Sequence, residues 1–70
     1  MLNVHQLRQL SEQTGEAMML AHARVGIFHE QEEAELLQLA MNNAEAARNF
    51  HNAIAAKLAE KEAPVADPSA

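Results

Sequence analysis

The sequence lacks cysteine, tryptophan and tyrosine, and phenylalanine occurs only twice among its 70 residues. Without cysteine no disulfide can form, and nothing in the chain argues for an oxidising compartment. The chain is 49% hydrophobic, but 15 of its apolar residues are alanine, whose side chain adds little volume to a core. Domains shorter than about 70 to 80 residues usually need a disulfide, a metal or a partner subunit. The sequence therefore predicts a thin core that another chain completes.

Long apolar runs are also missing. The charged and polar residues His5, Arg8, Glu12 and Glu16 interrupt the first twenty positions, and no stretch of about 18 apolar residues occurs elsewhere. We therefore expect no membrane segment and a cytoplasmic protein. Ten acidic residues against five basic residues give a net charge of -5, which disfavours a general attraction to nucleic-acid phosphates.

Alanine, leucine, glutamate, glutamine and methionine dominate the chain, and no segment alternates apolar with polar residues over the length of a strand. This composition predicts an all-α protein. Both prolines lie in residues 63–70, which show no apolar periodicity and are predicted to form a disordered tail. Residues 1–62 are then a single helical domain.

Two apolar stripes run through this domain at helical spacing. The first has alternating spacings of three and four residues and consists of Val4, Leu7, Ser11, Thr14, Met18, Ala21, Val25 and Phe28. The second stripe is predicted to consist of Leu36, Ala40, Ala47, Phe50, Ile54 and Leu58, flanked by Leu37, Leu39, Ala44 and His51. Two amphipathic helices therefore account for the domain.

The ends of these helices are predicted from glycine and charge. Gly26 is the better stop signal for the first helix, because glycine readily adopts the left-handed conformation at a helix C-terminus. This predicts helices over about residues 3–25 and 30–62, with the glutamates of residues 30–35 in the first two turns of the second helix. Carboxylates stabilise the N-terminal end of a helix, and Lys57 and Lys61 suit the other end.

A short connection makes the two helices antiparallel neighbours, so the expected fold is a helical hairpin. A lone hairpin leaves its contact stripe half open to water, whereas two hairpins packed together make a four-helix bundle. We expect a homodimer of this kind. The alternative is a compact three-helix bundle in which the first helix breaks near Gly15.

A second apolar strip lies off the main stripe of the first helix and predicts a second contact surface. Met19, Leu20 and Ile27 form this strip, and Phe28 lies beside it near the expected hairpin tip. Its alternative role is ordinary core in the three-helix arrangement. The acidic segment 30–35 either contacts a basic partner surface, chiefly through Glu32 and Glu33, or is a solvated helix start.

Catalytic and metal-binding patterns are missing from the sequence. The segment His29-Glu30-Gln31-Glu32-Glu33 begins like a zinc motif but has glutamate where the second histidine belongs. Neither serine lies in a nucleophile elbow, and two glycines cannot build a glycine-rich phosphate loop. We therefore expect neither an enzyme nor a bound metal or cofactor.

These patterns predict a small non-enzymatic regulator, inhibitor or adaptor that binds another protein stoichiometrically through helix–helix contacts. The alternative is a small dimeric helical transcriptional regulator that binds nucleic acid. The pattern of residue types in residues 7–15 is similar to that of the first helix and turn of a helix-turn-helix motif. The residues after Gly15, however, are acidic and apolar, whereas a recognition helix carries polar side chains that contact bases.

Overall fold

The computed structural model describes residues 1–62, which form two α-helices packed against each other as an antiparallel hairpin. Helix α1 runs over Val4–Glu30 and helix α2 over Ala34–Glu62. The predicted all-α hairpin is therefore confirmed. The predicted disordered tail, 63–70, lies outside the described residues. Neither helix has a stretch apolar enough to span a membrane.

A capping box starts α1. The backbone N–H of Gln6 donates to Asn3 Oδ1 at 2.8 Å, and the backbone N–H of Asn3 donates to Gln6 Oε1 at 3.0 Å. Each side chain thus satisfies a backbone donor that the first turn of a helix leaves without a partner.

The hairpin turn lies later in the chain than glycine placement predicts, because α1 continues through Gly26 and ends at Glu30. The backbone N–H of Glu32 donates to His29 O at 3.2 Å and that of Glu33 to Phe28 O at 3.0 Å, which is the Schellman pattern. Glu32 takes the left-handed position with φ 56°. The prediction that Gly26 ends the first helix was wrong, and so was the expected start of the second helix near residue 30.

Continuity of α1 also excludes the alternative fold within the described residues. The helix passes Gly15 without a break, so the three-helix arrangement was wrong. Gly15 instead provides room for His51 of α2, whose ring carbon Cε1 would lie 3.3 Å from a Cβ atom added at this glycine.

The two helices meet along a seam in which spacings of three and four residues alternate. The α1 half of the seam matches the predicted stripe, with Leu7, Thr14 and Ala21 buried and the other members half-buried. The α2 half consists of Leu37, Ala40, Ala44, Ala47, His51, Ile54 and Leu58. Leu36 and Phe50, predicted at the centre of the α2 stripe, are exposed instead.

The core of the described residues is as thin as composition predicts. Apart from Thr14, the buried residues are Leu7, Ala21 and Ala44, two of which are alanines. Alanines at the seam let the helices approach closely but bury little apolar surface. The hairpin therefore leaves most of its large apolar side chains in contact with water.

Candidate protein-binding surface

The hairpin has two long sides, one to either side of the seam. On one side Arg8 Nε donates to Glu62 Oε1 at 2.8 Å, and a groove is lined by residues that include His22, Met41 and Arg48. On the other side Leu10 and Ala17 of α1 share a shallow depression with Phe50 of α2. The first side is largely polar and the second largely apolar.

Helical spacing extends the second side along the whole hairpin. Leu20 follows Ala17 by three residues, and Ile27 follows Leu20 by seven, so both continue the α1 part of this side. Leu36 precedes Phe50 by two heptads, and Leu39 lies one turn after Leu36. We define the apolar face as the five large exposed side chains of this side: Leu20, Ile27, Leu36, Leu39 and Phe50.

Exposure makes the apolar face unusual for a water-soluble surface. Its five side chains are between 44% and 59% exposed, whereas a leucine in a finished core is almost completely covered. Burying the remaining half of each would contribute about 1 kcal/mol per side chain. Arg24, seven residues after Ala17, and Asn43, between Leu36 and Phe50, are polar residues on the same side. A group of large exposed apolar side chains on one side of a hairpin typically marks a contact surface for another macromolecule.

Four of the six residues predicted to contact a partner are apolar, and the structure places them at three different positions around α1. Leu20 and Ile27 lie on the apolar face. Met19 is 70% exposed and shares a depression with Leu20 and Glu16 on the outer surface of α1, but it is turned by about 100° from Leu20, away from the side that carries Leu10 and Ala17. Phe28 is half-buried in the seam.

Glu32 and Glu33 are exposed in the turn, next to Glu30 at the end of α1 and Glu35 in the first turn of α2. The prediction that all of these glutamates occupy the first turns of α2 was wrong, because α2 begins at Ala34. Glu33 instead precedes the helix, and its carbonyl accepts the backbone N–H of Leu37 at 2.7 Å. The hairpin tip consequently carries a cluster of carboxylates with no basic residue among residues 30–35.

Sequence reasoning missed three members of the apolar face: Leu36, Leu39 and Phe50. It assigned them to the contact stripe of α2 or to its flank because they are large and apolar. The signal that identifies them as outward-facing is the strict alternation of three and four residues from Leu37 to Leu58, which leaves them out.

A polar pair interrupts the apolar seam. Thr14 Oγ1 lies 2.7 Å from His51 Nδ1, and the Thr14 hydroxyl donates to the carbonyl oxygen of Ser11 at 3.2 Å. The hydroxyl has a single proton, so when it donates to Ser11, Nδ1 of His51 donates to Thr14. The Thr14–His51 hydrogen bond forms only when these two residues lie opposite each other. The pair therefore favours this one register of α1 against α2.

The titratable side chains of the described residues are not gathered into a metal site. Residues 1–62 contain no group of three or more histidine, aspartate or glutamate side chains placed to hold a metal ion. His22 bonds the carbonyl oxygen of Met18 in its own helix at 2.9 Å, which is a local contact.

Basic residues are divided between the surfaces of the hairpin. Arg8 and Arg48 lie on the polar side, with Arg8 bonded to Glu62. Arg24 lies on the other side, because it follows Ala17 by seven residues. Lys57 and Lys61 lie at the open end of the hairpin, around a depression that Leu7 and Ile54 also line. The basic residues of the described part of the chain are therefore spread over several surfaces of the hairpin.

Comparisons with known protein families, with curated proteins and with solved structures found no match to this chain.

Proposed function

We propose that the chain is a non-enzymatic protein-interaction module that binds stoichiometrically through helix–helix contacts of its apolar face. The observation that carries this proposal is the exposure of Leu20, Ile27 and Leu39 beside a seam that buries one leucine and two alanines as its apolar core. A helical partner that covers the face supplies the apolar burial that the hairpin lacks on its own.

The expected form of the complex is a four-helix bundle, with two helices from this chain and two from the bound chain. Helices α1 and α2 contain 27 and 29 residues and are thus about 40 Å long, so they offer a contact of several turns. In this role the protein is a regulator, inhibitor or adaptor that acts by covering or holding a partner.

The polar side argues against the alternative of a nucleic-acid-binding regulator. Its two arginines are accompanied by Glu45 and Glu62, so this side offers no continuous basic surface. The apolar face, by contrast, matches the composition of the core of a protein–protein interface.

Substitution of Leu20 by aspartate tests the proposal. Leu20→Asp places a charge on the apolar face. The variant should no longer capture the partner protein that the unsubstituted chain captures from an extract of the host cell. Met19→Asp is the matched control, because Met19 is more exposed than Leu20 but lies outside the face. Far-UV circular dichroism should show the same helicity for both variants.

Two outcomes would contradict the proposal. In the first, Leu20→Asp and Met19→Asp retain the same partner in the same molar ratio as the unsubstituted chain, so the apolar face is not the contact. In the second, a gel shift of DNA or RNA weakens steeply with salt while no protein is captured, which would favour the nucleic-acid alternative.

A further inference from the structure

The order of large and small residues along the side of the hairpin that carries the apolar face indicates which molecule packs on this face. We propose that its occupant is a second copy of this chain, packed face to face and head to tail, with the hairpin tip of each copy at the open end of the other. This inference rests on the proposed helix–helix function and names the partner of the same surface.

The α1 part of the apolar side is self-complementary when one copy is reversed against the other. A two-fold axis between Ala17 and Leu20 brings Ala17 of one copy against Leu20 of the other. The same register brings Leu10 against Ile27, and the polar residues Gln13 and Arg24 against each other between these pairs. A small residue thus faces a large one at the centre, and apolar residues face each other at the ends.

The α2 part is self-complementary in the same way. An axis between Asn43 and Ala46 brings Leu39 of one copy against Phe50 of the other, and Leu36 against Ala53. Layers that combine large with small or aromatic with aliphatic side chains fill the space between helices without voids.

The two axes fall at nearly the same level of the hairpin. Both lie one to two turns toward the tip from the Thr14–His51 pair, which aligns the two helices. At a rise of 1.5 Å per residue their levels differ by about 3 Å. A single two-fold axis therefore serves both helices.

Charge selects the head-to-tail arrangement over its parallel alternative. The register of α2, continued into the turn, brings Glu32 of one copy to the level of Lys57 near the open end of the other, with Glu33 adjacent. Lys61 belongs to the same open end. In the parallel arrangement the two acidic tips meet instead, and like charges at close range oppose association.

A spin label at the tip measures the arrangement directly. The chain has no cysteine, so Gln31→Cys provides a single attachment site in the exposed turn. In the head-to-tail dimer the two labels lie about 40 Å apart, since each tip is at the level of Leu58 of the other copy. A parallel dimer places them within about 20 Å, two helix diameters. The short distance, or the absence of any intermolecular distance at high protein concentration, would overturn the proposal.

Charge reversal gives a second measurement. Glu32→Lys and Lys57→Glu should each weaken the dimer about fivefold in Kd at low salt, because each dimer contains the pair twice, and the double variant should recover the affinity. Glu45→Lys is the matched control: it makes the same charge change on the polar side and should leave Kd unchanged. Tighter association of Glu32→Lys would indicate apposed tips and refute the arrangement.

Failure of this inference and failure of the proposed function are distinguishable. If sedimentation shows a monomer at all concentrations, but the chain captures another protein that Leu20→Asp loses, only the identity of the occupant is wrong. If neither self-association nor capture depends on Leu20, both proposals fail.

Discussion

The two glycines of α1 offer a matched pair of substitutions, because they occupy the same helix in different surroundings. A Cβ atom added at Gly26 meets nothing within 4 Å. The same atom added at Gly15 lies 3.3 Å from Cε1 of His51, closer than ordinary van der Waals contact. Both glycines are inside the helix, so both substitutions by alanine remove the same backbone entropy cost.

Gly26→Ala should therefore raise the free energy of unfolding by about 1 kcal/mol, the difference in helix propensity between glycine and alanine. For a domain of this size the midpoint of thermal unfolding should rise by about 4 to 8 °C. Gly15→Ala has the same gain but pushes against the ring of His51. That ring cannot move freely, because Nδ1 is 2.7 Å from Thr14 Oγ1. Overpacking of a seam costs about 1 to 3 kcal/mol, so the net effect should be zero or destabilising.

The assay is thermal and urea unfolding followed by circular dichroism, with every variant at one protein concentration because association shifts the midpoint. His51→Ala provides the control: in that background the ring is absent, and Gly15→Ala should stabilise as much as Gly26→Ala. Equal stabilisation by Gly15→Ala and Gly26→Ala in the presence of His51 would refute the reasoning.

Three further substitutions probe the hairpin ends. Glu32→Gly should raise the free energy of unfolding, measured in urea, by about 0.5 to 1 kcal/mol. The reason is that the left-handed conformation at φ 56° costs a residue with a side chain roughly 1 to 2 kcal/mol. Glu33→Gly is the control: this residue precedes α2 outside the left-handed region and should show no such gain. Asn3→Ala removes the capping box of α1 and should lower the unfolding free energy by about 1 kcal/mol, with helix fraying visible by hydrogen exchange at the first turn. Arg8→Ala should change stability by less than about 1 kcal/mol, because its ion pair with Glu62 is exposed; a larger loss would show that the pair is covered in the assembled protein.

Local chemistry explains which helix ends could be predicted from the sequence. The start of α1 near residue 3 follows from Asn3, and the capping box with Gln6 is a recognisable signal at this spacing. The turn could not be predicted from glycine, since Gly26 stays helical and Glu32 takes the left-handed position. Seam contacts continue through Phe28, and their burial outweighs the helix propensity of one glycine.

The α1 seam was predictable because its alternation of three and four residues has no competitor. In α2, neighbouring residues compete for the same positions: Leu36 with Leu37, and Phe50 with His51. Size and hydrophobicity favour Phe50, whereas the structure selects His51, which has the hydroxyl of Thr14 as a hydrogen-bond partner and the open space of Gly15 beside it. Neither contact is evident from α2 alone, because both depend on residues 36 and 37 positions earlier in the chain.

The competition between neighbouring residues of α2 for seam positions explains both the thin core and the exposed apolar face. With His51 in the seam, Phe50 is turned by about 100° to the outside, and with Leu37 in the seam, so is Leu36. The large apolar side chains missing from the core are therefore those that build the exposed surface. Alanines at the buried positions of the seam let the helices approach closely, and the polar pair aligns them, but these residues contribute little apolar burial. Five of the nine large exposed apolar side chains of the described residues lie on the apolar face. A contact that covers this face would therefore stabilise the fold as it forms the complex, so the proposed function predicts that folding and association are coupled.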